Sequence, residues 1–249
     1  MSEHYAPVLV TGASRGIGAA TVIELASRGH DVGIGVRDKL RRANKVLSSV
    51  EKLGNVRAEV FQGDLTNPED LNSVINKVKV WAPKLGGLIL NAAGGLEEGK
   101  TEEYALAINR DAQVNLTKGL TDSMLHSSTV VYVTSDWSHL YEQIDLPPFD
   151  YKAVASSKRL GEDALVDLIP ELTERDIRLV VVTGGLITGT FVGDYAVNNF
   201  PEFTEEQRTI HNVVSVEKFS EAIADVINND ALPTGHIESV GAPLVALFK

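Results

Sequence analysis

The chain has 249 residues, no cysteine and a formal charge of −11, from 23 Lys plus Arg against 34 Asp plus Glu. That length suits one α/β domain with a full hydrophobic core. The acidic balance argues against nucleic acid or an anionic membrane as the main partner, since clustered Lys and Arg bind both, and zero Cys excludes disulfide frameworks, thiolate zinc sites and a cysteine nucleophile.

Residues 1–7 carry neither the basic start nor the apolar run of a signal peptide, and no stretch approaches the ~18 apolar residues of a membrane span. A cytoplasmic protein is expected. Val8-Leu9-Val10 predicts a strand that runs into Thr11-Gly12-Ala13-Ser14-Arg15-Gly16-Ile17-Gly18, and Ile17, Val22, Leu25 and Ala26 then predict a helix stopped by Gly29. Val32, Ile34 and Val36 form a second strand, and Leu40, Ala43, Leu47 and Val50 a second helix up to Gly54. Val56, Ala58 and Val60 alternate as a third strand ending at Gly63-Asp64. Thr66-Asn67-Pro68-Glu69 reads as a capping box, with Thr66 as the cap, for a helix that buries Leu71, Val74, Ile75 and Val78.

Leu88–Leu90, Thr129–Val133 and Leu179–Val182 are the fourth, fifth and sixth strands. A long helical pattern joins the fourth to the fifth, and another, from Ala153 to about Leu168, joins the fifth to the sixth. Ser215 and Glu217 open a last helix, and Gly235 to Val240 supply a seventh strand. Alternating strands and helices, with strands apolar on both faces, predict a doubly wound α/β fold on a parallel sheet. The long irregular stretches, about 136–150 and 189–212, are candidates for covering or binding loops.

In such a sheet the ligand lies at the carboxyl ends of the strands, where a glycine turn aims backbone N–H groups and a helix N-terminus at an anion. Gly12, Gly16 and Gly18 stand there. A tight turn without a ligand is the alternative, and the absence of GxxxxGK[ST] disfavours a nucleoside-triphosphate loop.

The Thr11-Gly12-x-x-x-Gly16-x-Gly18 spacing resembles the short-chain dehydrogenase/reductase family. Gly63-Asp64-Leu65-Thr66, Asn91-Ala92-Ala93-Gly94, Thr134-Ser135 and Ser157-Lys158 agree in order and spacing, so the resemblance spans essentially the whole chain. It implies a Rossmann-type fold of about seven strands, with residues 1–249 as one NAD(P)-binding domain and about 189–212 as a cover over the substrate. It further implies that Gly12, Ser14, Arg15, Gly16, Ile17 and Gly18 cradle the pyrophosphate and adenosine ribose. Asp64 and Leu65 would bracket the adenine, and Asn91, Ala92 and Gly94 would line the ribose side, although Asn91 has a strand-bracing role open to it. An acid closing the second strand would select NAD, whereas Arg selects NADP. Arg37 stands at that end and Arg15 in the glycine turn, so NADP(H) is the expected cofactor, with Asp38 compatible. No metal is expected.

For catalysis the resemblance implies a Ser that binds the substrate oxygen, a Tyr proton donor, a Lys four residues later and an Asn that orders a relay water. Ser135, Lys158 and Asn109 take three of those roles. Four residues before Lys158 stands Val154, which has no proton to give. Tyr151 is seven residues before Lys158, nearly on the same helix face but about 10.5 Å along the axis. Reading Tyr151 as the family Tyr would put Ala155 in the Lys position, so either register loses one member of the pair. The register that keeps Lys158 also keeps the preceding Ser, and leaves Tyr151, Asp136, His139 and Tyr141 as candidate substitute acids.

Thr183-Gly184-Gly185-Leu186-Ile187-Thr188 resembles the family segment whose Thr, here Thr188, reaches the nicotinamide carboxamide, with Thr183 replacing a Pro. Phe191, Tyr195, Phe200 and Phe203 hint at an apolar substrate. The expected activity is NADPH-dependent reduction of a small apolar ketone or aldehyde, or the reverse alcohol oxidation, by a homodimer or homotetramer. A catalytically silent NADP(H)-binding sensor or scaffold is the alternative.

Overall fold

The computed structural model describes residues 5–97, 99–143 and 145–244. β1 (Tyr5–Val10) enters the glycine turn and α1 (Gly16–Ser27), and β2 (His30–Val36), α2 (Leu40–Glu51), β3 (Ala58–Gln62), α3 (Pro68–Trp81) and β4 (Leu85–Leu90) continue the alternation. α4 (Glu102–Leu106), a π-helical turn over Ala107–Asp111 and α5 (Ala112–Leu120) then follow one another without a break, ahead of β5 (Met124–Val133). α6 (Asp136–His139), α7 (Lys152–Val166) and α8 (Ile169–Thr173) precede β6 (Ile177–Gly184). After β6 come β7 (Leu186–Thr188), α9 (Phe191–Asn199), α10 (Pro201–Thr209), β8 (Val213–Ser215), α11 (Val216–Asn228) and β9 (His236–Val240).

Seven strands pair in parallel in the order β3-β2-β1-β4-β5-β6-β9, the doubly wound sheet expected from the sequence. Successive strand residues point to opposite faces, so each apolar run feeds two cores. Val8, Val10, Ile34, Val131 and Val180 pack with Val22, Leu25, Val46, Phe219 and Ile223 of α1, α2 and α11. Leu9, Leu88, Leu90, Val130 and Leu179 pack with Leu71, Val74, Leu116, Leu120 and Leu165 of α3, α5 and α7. At about 1.5–3 kcal/mol for each large side chain, these two layers dominate the stability of the fold. No helix among the described residues is long and apolar enough to cross a membrane.

Three features depart from expectation. Asn67, not Thr66, caps α3, its Oδ1 accepting from the amides of Glu69 and Asp70 at 2.9 and 3.1 Å. Thr66 turns back instead and donates its amide and hydroxyl to Asp64 Oδ1, at 2.9 and 2.7 Å. Residues 189–212 are not irregular, for Thr190 caps α9 and Pro201 opens α10, while β7 and β8 make a separate two-stranded ladder.

Candidate active site

The sheet order reverses at β1, which pairs with both β2 and β4. In a doubly wound fold that reversal places a crevice at the carboxyl ends of the strands, and here they open onto a cleft of about 800 Å³. Its floor is the glycine turn. Gly12 and Gly16 adopt φ of 64° and 55°, a left-handed conformation that a side chain would strain. Extended Arg15 starts α1 without a side-chain cap, and no acid stands in the first turn. The first N–H groups and the positive dipole end of the helix are thereby left for an anion. Gly18 serves packing: a Cβ there would lie 2.6 Å from Asn91 Nδ2 and 2.7 Å from the Gly12 carbonyl oxygen.

Asn91 braces strands as well as lining the cleft. Its Nδ2 donates to the Thr11 carbonyl at 2.9 Å, and Thr11 Oγ1 accepts from the Asn91 and Ala92 amides at 3.0 Å each. Asp64, Leu65, Ala92 and Gly94 line the same cleft. At the end of β2, Arg37 donates from Nη1 to the Tyr104 hydroxyl and lies 3.9 Å from Glu97 and 4.0 Å from Asp38. Arg15 finds a different partner, its guanidinium lying 5.3 Å from the centre of the Phe191 ring on α9. That cation–π contact ties the glycine turn to the segment above the cleft.

The candidate chemistry gathers past the end of β5. Ser135 caps α6, and its Oγ lies 3.1 Å from the Tyr151 hydroxyl and 2.8 Å from Ser138 Oγ. Tyr151 is the residue before α7, its ring edge-on to Trp137 at 5.9 Å and to Phe149 at 6.0 Å. Burial pushes the Tyr151 hydroxyl above the usual phenol range, opposed by its bonds to Ser135 and Ser138, so at neutral pH it holds its proton. Lys158, seven residues along, donates to the Val133 carbonyl at 3.3 Å, and burial lowers its ammonium to about 8. Val154 is buried and adds an apolar wall.

Asn109 sits in the π turn. Its side chain bonds the Gly94 amide and carbonyl at 3.1 and 2.9 Å and Ser157 Oγ at 2.9 Å, and its carbonyl accepts from Tyr132 at 3.2 Å. It therefore joins the loop after β4 to the helix that carries Lys158. Asp136 is wholly buried. Its Oδ1 accepts from the Thr183 hydroxyl at 2.7 Å, its Oδ2 has no partner among the described residues, and burial raises its pKa to about 6. His139 lies 2.8 Å from Glu162, and Tyr141 donates to Glu142 at 2.9 Å.

The structure thus brings Ser135, Tyr151 and Lys158 into one cleft with Gly12, Ser14, Arg15, Gly16, Ile17 and Arg37. Asn109, Gly18 and Thr188 do not line it; Thr188 donates to the Val214 carbonyl at 3.3 Å, and Thr190 borders the cleft instead. Sequence reasoning missed Tyr104, Glu97 and Trp137, whose places depend on loop paths that no periodicity reports. The donor set fits a phosphorylated dinucleotide, with an uncapped helix N-terminus for phosphate and a guanidinium at the end of β2. No group of three or more His, Asp or Glu able to hold a metal occurs among the described residues.

Residues 6–198 match the family model described as short chain dehydrogenase. A short-chain dehydrogenase/reductase of Pestalotiopsis microspora is 26% identical over 210 residues, covering 80% of this chain and 77% of that protein. A cyclohexanol dehydrogenase of Rhodococcus sp. is 33% identical over half of each chain, and a hydroxynaphthalene reductase of Aspergillus fumigatus is 29% identical over 51% of this chain and 48% of that one. Among solved structures, a short-chain dehydrogenase from Burkholderia cenocepacia in complex with NADP superposes with a TM-score of 0.83 at 22% identity, covering 98% of this chain and 100% of that one. The angucycline C-6 ketoreductase LanV with bound NADP gives 0.81 at 23% identity, covering 98% and 97%.

Proposed function

This chain belongs to the short-chain dehydrogenase family, and on that premise we propose that it is an NADP(H)-dependent reductase of small apolar ketones or aldehydes, or the reverse alcohol dehydrogenase. The observation that carries the reading is the Ser135–Tyr151 hydroxyl pair, 3.1 Å apart in a cleft that also contains Lys158. NADPH, when bound, supplies a hydride for the carbonyl carbon. Ser135 and Tyr151 hold the carbonyl oxygen between two hydroxyls, and Tyr151 passes it a proton as negative charge develops there. A positioned acid of this kind is worth ~10²–10⁴-fold. The Lys158 ammonium holds the nicotinamide ribose hydroxyls. Tyr151 thereby replaces the Tyr absent at Val154.

The uncapped start of α1 takes the pyrophosphate, and Arg37 takes the 2′-phosphate that distinguishes NADP from NAD. Trp137, Val154 and Leu186 give the substrate end an apolar wall, with the start of α9 beside it. The hydroxynaphthalene reductase and the ketoreductase among the similar proteins support the same substrate chemistry. The test is carbonyl-dependent loss of NADPH absorbance against a panel of cyclic ketones, quinones and aromatic aldehydes. Turnover of at least one class is expected; tight NADPH binding with no turnover on any would make the chain a silent cofactor-binding protein.

A further inference from the structure

The guanidinium expected to read the 2′-phosphate is already engaged by this chain. Arg37 Nη1 donates to the Tyr104 hydroxyl, Nη2 lies 3.9 Å from Glu97 Oε1, and Nε lies 4.0 Å from Asp38. Glu97 is not there by chance of rotamer, because its other oxygen accepts from the Gly95 amide at 2.8 Å. That turn is pinned in its own right, since Gly94 is bonded through both its amide and its carbonyl to Asn109. Tyr104 is steadied from its other side by the Lys100 ammonium, 3.8 Å from the ring centre. A carboxylate is thus aimed from the loop after β4, across the mouth of the cleft, at the cation closing β2.

We propose that Glu97 is a built-in competitor for the 2′-phosphate, a specificity-determining residue that keeps Arg37 neutralised until NADP displaces it and that narrows the preference for NADP over NAD. This inference rests on the cofactor reading given above. Separations of 3.9 and 4.0 Å to Glu97 and Asp38 are too long for hydrogen bonds, so these carboxylates hold Arg37 by charge alone. A phosphate can accept two parallel charge-assisted bonds from a guanidinium and so wins the exchange. The neutral Tyr104 hydroxyl need not leave, and can continue to orient Arg37 while the anion changes. Glu97 is 43% exposed, and half-exposed ion pairs of this kind are weak, so the competition is modest and reversible. NADH, whose ribose carries only a hydroxyl at that place, does not require Glu97 to move and loses little to it.

The experiment is isothermal titration of the full chain with NADPH and with NADH, for wild type, Glu97→Gln and Arg37→Gln. Glu97→Gln keeps the side-chain length and its acceptor for the Gly95 amide while removing the charge. It is expected to tighten NADPH by about 2- to 5-fold and to leave NADH unchanged within error. If Glu97→Gln leaves the ratio of the two affinities where it was, while Arg37→Gln weakens NADPH selectively, the competitor proposal is overturned and the cofactor reading survives. If wild type binds NADH and rejects NADPH, or Arg37→Gln weakens both alike, the cofactor reading itself falls and takes the proposal with it.

Discussion

Asp136→Asn should stabilise this protein at neutral pH, by an amount that shrinks as the solution is acidified. Asp136 is wholly buried beside the hydroxyl pair, one oxygen on Thr183 at 2.7 Å and the other without a partner among the described residues. Burial holds its pKa at about 6, against about 4 for a carboxyl in an unfolded chain. A carboxyl whose folded pKa lies above its unfolded value binds its proton more tightly when folded. Its ionisation therefore costs nothing below pH ~4, costs progressively more between ~4 and ~6, and reaches about 3 kcal/mol above that window. Asn keeps the acceptor for Thr183 and carries no charge, but leaves its amide nitrogen where the unpartnered oxygen was, which returns part of the gain. We expect Asp136→Asn to raise the unfolding free energy by about 1–3 kcal/mol at pH 7, several degrees in Tm for a chain of this size, and by close to nothing at pH 4. Urea unfolding of both proteins from pH 4 to 8 gives the difference directly, with the other carboxylates cancelling. A variant less stable than wild type at pH 7, or a difference constant across the range, would refute a charged, poorly compensated Asp136.

Tyr151→Phe removes one oxygen and keeps the edge-on packing with Trp137 and Phe149. Carbonyl reduction should fall by about 10²–10⁴-fold with NADPH binding unchanged in titration, and a rate near wild type would place the proton donor elsewhere. Because burial lifts the Tyr151 hydroxyl above its ordinary range, it stays protonated through neutral pH, and the phenolate that would take a proton from an alcohol forms only at high pH. Reduction should accordingly stay level through neutral pH, whereas oxidation of the matching alcohol should keep rising to beyond pH ~10; an oxidation plateau near pH 7 would contradict that order. Asn91→Ala deletes the bond to the Thr11 carbonyl and should cost about 1–3 kcal/mol in denaturant unfolding. It should weaken NADPH binding as well, through the slackened glycine turn.

The sheet was legible because its signal is local: runs such as Val8-Leu9-Val10 and Val130–Val133 are apolar at every position, which suits only strands covered on both faces. The misread cap shows where local signals stop. Thr66 and Asn67 are both good caps ahead of Pro68, and Asp64 decides between them by capturing the Thr66 hydroxyl and amide. Residues 189–212 read as irregular because α9 and α10 carry no clean apolar stripe. Their aromatic side chains pack instead on distant partners, Phe203 against Trp137 and both Tyr195 and Phe200 against Phe149.

Tyr151 was the hardest residue to read, for a geometric reason. Helical spacing measures its distance to Lys158, two turns away, and on that measure it fails as the partner of the lysine. Its partner is Ser135, on a different element and reached through the 136–150 connection, whose path has no period to read. Burial outweighs the bonds to Ser135 and Ser138, so the phenol stays protonated at neutral pH. On the proposed reading, a hydroxyl that stays protonated at neutral pH is available to carbonyl reduction there, while alcohol oxidation waits for the phenolate that forms only at higher pH.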